Sequence, residues 1–271
     1  MGSNNNNIII GTLNKYFSEN SINDILIFLN KINSLGVNKI DTAPTYDNGK
    51  IQKKLGTIIS DLSHYEICTK VFDDVNNSGK KGLGSDNIFN SVQFSLQTLR
   101  CKKLDKLLMH NFDPSIDLLN LAETIDKLFN QNLIKKIGFC KWKINQAIEL
   151  MSHLQLDSSF YFAQYPYSIL NQKFKKELEL FKELNIQTEV YGVLAQGTLL
   201  GKNNIRDSLS NQSIKHHLND QSAITKSQEL IERFKTNKKV AKWLLSDMLS
   251  NEYVDQVLLG FSSMDQILDL L

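Results

Sequence analysis

The chain has 271 residues, enough for one barrel-sized domain and not in need of two. Apolar residues make up 41% and charged residues 22%, and the formal charge of +2, with Lys and Arg scattered among acids, argues against a nucleic-acid partner. Cys68, Cys101 and Cys140 are odd in number, far apart and outside any CxxC or metal-type pattern, so neither a disulfide framework nor a bound metal is expected, and a reducing, cytoplasmic setting fits.

The opening MGSNNNN (1–7) has no basic n-region and reads as a disordered polar tail ahead of a single domain over 8–271. Strand-like runs follow at 7–12, 38–42, 65–70, 104–110, 135–140, 160–165, 186–192 and 254–260. Helical patterns lie between them near 21–34, 49–61, 86–100, 115–131, 143–153, 172–184 and 222–247. In the first of these, Ile22, Ile25, Leu26, Leu29, Ile32 and Leu35 recur at intervals of three and four, which assigns them to one face. Eight strands alternating with helices predict an α/β fold, a (β/α)8 TIM barrel. A doubly wound open sheet would put a glycine-rich phosphate turn after its first strand, and no GxGxxG stands there. The connection 193–221 is the longest, as expected of a binding loop or lid. No apolar run reaches the roughly 18 residues of a membrane span.

Active sites of such barrels lie at the C-terminal ends of the strands. There the chain places Asp41, Lys70, His110, Gln164 and Tyr191, with Tyr46 just past strand two. Singly, the Asp is a turn cap, the Lys a solvated strand end, the His a core histidine and the Tyr a packing residue. Together they suit hydride transfer to a carbonyl, whose oxygen needs a proton as hydride arrives. A tyrosine supplies it, although a phenol pKa of about 10 makes it sluggish near neutrality. An adjacent ammonium draws that pKa down, a carboxylate orients the lysine, and a histidine hydrogen-bonds the oxygen.

Several ordered segments resemble the aldo-keto reductase family, in particular a short bacterial-type member. "IDTAPTYDNGKIQKKLG" (40–56) is similar to the segment with the catalytic Asp and Tyr five residues apart, and "ICTK" (67–70) to the strand ending in the catalytic Lys. "SVQFSLQTLRCKKLDKLLMHNFD" (91–113) resembles the helix and strand ending in His. "IKKIGFCKW" (134–142), "FAQYPYSILNQ" (162–172), "VYGVLAQGTLLGK" (190–202) and "VDQVLLGFSSMDQI" (254–267) match later landmarks in order. The resemblance runs from about Ile8 to Ile267. It implies Tyr46 as general acid, tuned by Lys70 and Asp41, with His110 orienting the carbonyl of a small-molecule aldehyde or ketone. It also implies Gln164 on the nicotinamide carboxamide, Tyr191 stacked on the ring, and Leu194, Gln196 and the loop to Lys202 along the pyrophosphate.

The chain departs from the family at its cofactor contacts. Cys140 and Lys141 stand where the family has Ser-Asn. Gly260, Ser262, Ser263 and Gln266 face the adenosine end without the usual Lys and Arg; Lys141 and Lys202 are the nearest substitutes in sequence. The resemblance thus implies NADP(H) or NAD(H), with NADP slightly favoured. Hydroxyls and backbone at a helix N-terminus also bind phosphate. The family's N-terminal hairpin is missing, and the chain stops at Leu271, which implies a truncated C-terminal helix and lid. A monomer or weak oligomer, off the membrane, is expected. Two rivals are a cofactor-binding regulatory or partner-binding barrel, as in channel-associated members, and an aldolase using Lys70 as a Schiff-base amine.

Overall fold

The strands of a helix-covered parallel sheet are buried on both faces, and eight short strands, several with a charged or polar residue among the apolar ones, supply the sheet. They are β1 (Ile8–Gly11), β2 (Lys39–Asp41), β3 (Glu66–Val71), β4 (Leu104–Met109), β5 (Ile134–Phe139), β6 (Tyr161–Pro166), β7 (Gln187–Tyr191) and β8 (Gln256–Leu259). In the computed structural model, which describes residues 5–58, 64–75, 81–200 and 221–271, each strand pairs in parallel with the next. β8 then returns to β1, with Ile8 opposite Val257 and Ile10 opposite Leu259, and the sheet closes. The fold is the expected (β/α)8 barrel, with strand ends shifted by no more than two residues from the sequence reading.

The outer layer comprises α1 (Lys15–Glu19), α2 (Ile22–Ser34), α3 (Lys50–Ile58), α4 (Ser85–Leu99), α5 (Leu118–Asn130), α6 (Ile144–Leu154), α7 (Lys175–Glu183), α8 (Gln221–Phe234), α9 (Asn237–Leu249) and α10 (Met264–Leu268). A capping box starts α2: Asp24 N donates to Ser21 Oγ at 3.2 Å, and Ser21 N donates to Asp24 Oδ2 at 3.3 Å. Its buried stripe is Ile25, Phe28, Leu29 and Ile32, whereas Ile22, Leu26 and Leu35 are exposed. The expected face was therefore centred wrongly, because Phe28 pulls the apolar arc away from Ile22 and Leu26.

The single helical pattern at 222–247 is two helices. Lys235 has φ 65°, and Thr236 caps α9 by accepting from Lys239 N, so the first helix ends in a left-handed residue and the second starts afresh. Asn5–Asn7, assigned with the polar tail, form a 3-10 turn in which Asn5 Nδ2 donates to Leu35 O at 2.9 Å. Residues 1–4 and 201–220, with Lys202 and most of the expected lid, lie outside the described residues. So does the Gln196 side chain.

The main apolar core lies between the barrel wall and the helices, from Ile8 and Phe28 through Leu107 and Phe181 to Ile267. A small second cluster, Cys68, Leu108, Cys140 and Phe162 with Tyr191 against it, fills the barrel interior. Gly138 makes room for it: a Cβ there would meet the Phe162 ring at 2.3 Å. Buried charged residues, Asp41, Lys70, Lys106 and Glu189, lie inside the barrel as well, and they position the site.

Candidate active site

Asp41 is the last residue of β2 and only 3% exposed. After Tyr46 the chain passes through Asp47, Asn48 and Gly49 at φ 47°, 52° and 80°. Asp, Asn and Gly tolerate this left-handed region best, so the sequence YDNG is suited to the tight turn. A Cβ at Gly49 would come within 2.7 Å of Phe94, which adds a packing reason for glycine. The turn holds Tyr46 buried, with the Lys70 ammonium 5.2 Å from its ring centre.

Lys70, one residue from the end of β3, donates to Asp41 Oδ1 and to the Thr42 carbonyl at 3.1 Å. Burial alone would lower the Lys70 pKa, but the opposing influences, led by the charge of Asp41 and joined by its hydrogen bond, outweigh it and the lysine is held well above its ordinary value. Tyr46 moves opposite to the sequence expectation. Burial raises its pKa more than Lys70 lowers it, so the phenol stays protonated in the closed barrel.

His110 follows β4, and its N–H donates to Val71 O at 3.0 Å, extending the ladder past the strand end. Its Nδ1 lies 3.3 Å from Asp73 Oδ2. Burial lowers the imidazole pKa, while the hydrogen bond to Asp73 opposes it, and the net direction is down. Asp73 in turn is lowered, chiefly by that hydrogen bond. Sequence reasoning missed Asp73, which lies in a loop with no periodicity to assign its direction.

Gln164 and Tyr191 share this mouth. Gln164 Nε2 donates to Asp41 Oδ2 at 2.9 Å and to Glu189 Oε2 at 3.0 Å. Tyr191 is half-buried beside Cys140, and burial pushes the Cys140 thiol up to about 11 against the opposing pull of Lys141. Lys141, at φ 61°, acts electrostatically on His110, Asp73 and Cys140, so its charge is felt at this mouth of the barrel.

Below them, Lys106 Nζ lies 2.6 Å from Glu189 Oε1 and 2.7 Å from Glu66 Oε1. Sequence reasoning missed this pair too. A readable signal existed: Lys106 shares strand parity with His110, and Glu189 with Tyr191.

The remaining sequence-assigned residues follow β7 and β8. Leu194 opens onto a 3-10 turn at Ala195–Leu200, after Gly192 at φ 79°. Gly260 follows β8, with open space where a Cβ would stand. Ser263 is the N-cap of α10, without a side-chain capping bond. Ser262 N donates to Gln266 Oε1 at 2.9 Å, so the Gln266 side chain occupies that backbone N–H.

Among the described residues, no cluster of His, Cys, Asp or Glu could hold a metal, and no helix is long and apolar enough to cross a membrane. The chain is 26% identical over 187 residues to the aldo-keto reductase YhdN of Bacillus subtilis, a match covering 67% of this chain and 55% of that protein. It is 25% identical over 257 residues to a putative voltage-gated potassium channel subunit beta of Schizosaccharomyces pombe, covering 87% of this chain and 74% of that protein. The family pattern of the aldo/keto reductases matches residues 7–271, and with the barrel, strand for strand, behind that match, the chain belongs to the aldo/keto reductase family.

Proposed function

We propose that the protein reduces a small aldehyde or ketone to the alcohol with NAD(P)H. The carrying observation is the chain Tyr46, Lys70, Asp41, Gln164, in which a buried phenol and a carboxamide are organised by one carboxylate at the barrel mouth. When bound, the dinucleotide supplies the hydride. Tyr46 gives its proton to the carbonyl oxygen, and the ammonium of Lys70 stabilises the phenolate left behind. His110 orients that oxygen.

The donor set fits the nicotinamide end. With Nε2 of Gln164 committed to two carboxylates, Oε1 is the acceptor left for a carboxamide N–H. Half-buried Tyr191 offers a ring face for stacking. Leu194 and Gln196 are assigned to the pyrophosphate, and Gly260, Ser262, Ser263 and Gln266 to the adenosine. A phosphate on the Ser262 N–H must displace Gln266, and this supports only a slight preference for NADP(H) over NAD(H). A cytoplasmic monomer or weak oligomer acting without nucleic acid, membrane or metal completes the reading.

The experiment is dinucleotide binding followed by fluorescence, then NAD(P)H oxidation against a panel of aldehydes and ketones. Turnover of any of them supports the reading. Binding without turnover across the panel would favour a partner-binding barrel, the direction in which the name of the Schizosaccharomyces relative points.

A further inference from the structure

The barrel interior holds an ion pair that the proposed reaction leaves idle. Lys106 and Glu189 are 2% and 0% exposed, and Lys106 also lies 5.1 Å from the centre of the Phe162 ring. Burying two charges costs enough that well-packed apolar residues of similar volume often do as well, so stability gives a weak reason for this pair. Its other contact gives a stronger one. Glu189 Oε1 takes Lys106, and Oε2 takes one hydrogen of Gln164 Nε2, while Asp41 Oδ2 takes the second. Turning the amide over would set Gln164 Oε1 against two carboxylates.

We infer that Glu189, itself held by Lys106, is a positioning residue that fixes the Gln164 carboxamide with its nitrogen inward, so that a ligand meets Oε1, an acceptor only. The inference rests on the cofactor reading above. Its consequence is selectivity for a ring substituent that brings an N–H to Gln164, as a carboxamide does and a methyl ketone does not.

Equilibrium binding of NADH and of its 3-acetylpyridine analogue, followed by protein fluorescence, tests this without turnover. The unmodified protein should prefer NADH about tenfold, the factor expected of one hydrogen bond. In Glu189→Gln, and in the double variant Lys106→Met with Glu189→Leu, the ratio should fall to about threefold or less through weaker NADH binding. The double variant leaves neither charge buried alone; should it fail to fold, Glu189→Gln, which keeps volume and shape, decides. An unchanged ratio in a variant with an unaltered melting temperature overturns the positioning role and leaves the cofactor reading standing. Failure of the unmodified protein to bind either dinucleotide overturns both.

Discussion

Gln164 Nε2 donates to Asp41 Oδ2 at 2.9 Å across 123 residues of sequence. Asp41 therefore serves two partners, Lys70 through Oδ1 and Gln164 through Oδ2, and joins the lysine beside Tyr46 to the residue assigned to the dinucleotide.

Asp41→Asn should disturb both ends. Lys70 loses the charge that chiefly offsets its burial, so its pKa falls. Tyr46 loses a carboxylate that raises its own. Both changes move the alkaline limb of the kcat/KM profile for reduction to lower pH, and KM for the dinucleotide should rise as Gln164 loses one acceptor. A profile and KM identical to those of the unmodified protein would reduce Asp41 to a structural cap.

Tyr46→Phe removes the proposed proton donor and leaves the ring. Turnover should drop at least about 10²-fold, with dinucleotide affinity nearly unchanged. Steady-state kinetics beside equilibrium binding check this, and full activity in the Tyr46→Phe variant would remove the mechanism.

The pair of His110 and Asp73 sets a pH dependence. An ionised carboxylate only accepts, so the proton of a neutral imidazole goes to Nδ1, and Nε2 donates to a carbonyl only in the imidazolium. Lys70 and Lys141 press against that charge, Asp73 supports it, and the net pKa is below the ordinary value. Reduction should accordingly quicken as pH falls through this depressed pKa. Asp73→Asn withdraws the support and moves the rise to still lower pH. A profile insensitive to Asp73→Asn over the acid range would show that His110 donates while neutral.

Cofactor preference should be weak, with an NADPH-to-NADH affinity ratio below about 100. Each charge-assisted bond to a 2′-phosphate contributes about 1.5–3 kcal/mol, and the positions near Ser262 carry no cation while Gln266 covers one N–H. Gln266→Arg adds a cation and uncovers that N–H, so the ratio should increase. Titration of both dinucleotides decides it; strong NADPH selectivity in the unmodified chain would point to a cation elsewhere, with Lys202 the first to replace.

The amino-acid sequence by itself determined what depends on neighbours along the chain. Alternating short apolar runs and helical periods dictated eight βα units. The same order put Asp41, Lys70, His110, Gln164 and Tyr191 at strand ends, and the left-handed tolerance of Asp, Asn and Gly after Tyr46 fixed its turn. The tertiary structure decided what depends on distant groups meeting. The balance of burial against Lys70 raised the Tyr46 pKa where sequence reasoning expected a fall, because desolvation exists only once the barrel closes. The same closure brought Glu189 between Lys106 and Gln164, and the loop residue Asp73 to His110; strand parity turns Lys106 and Glu189 inward, but which partners they meet depends on distant strands.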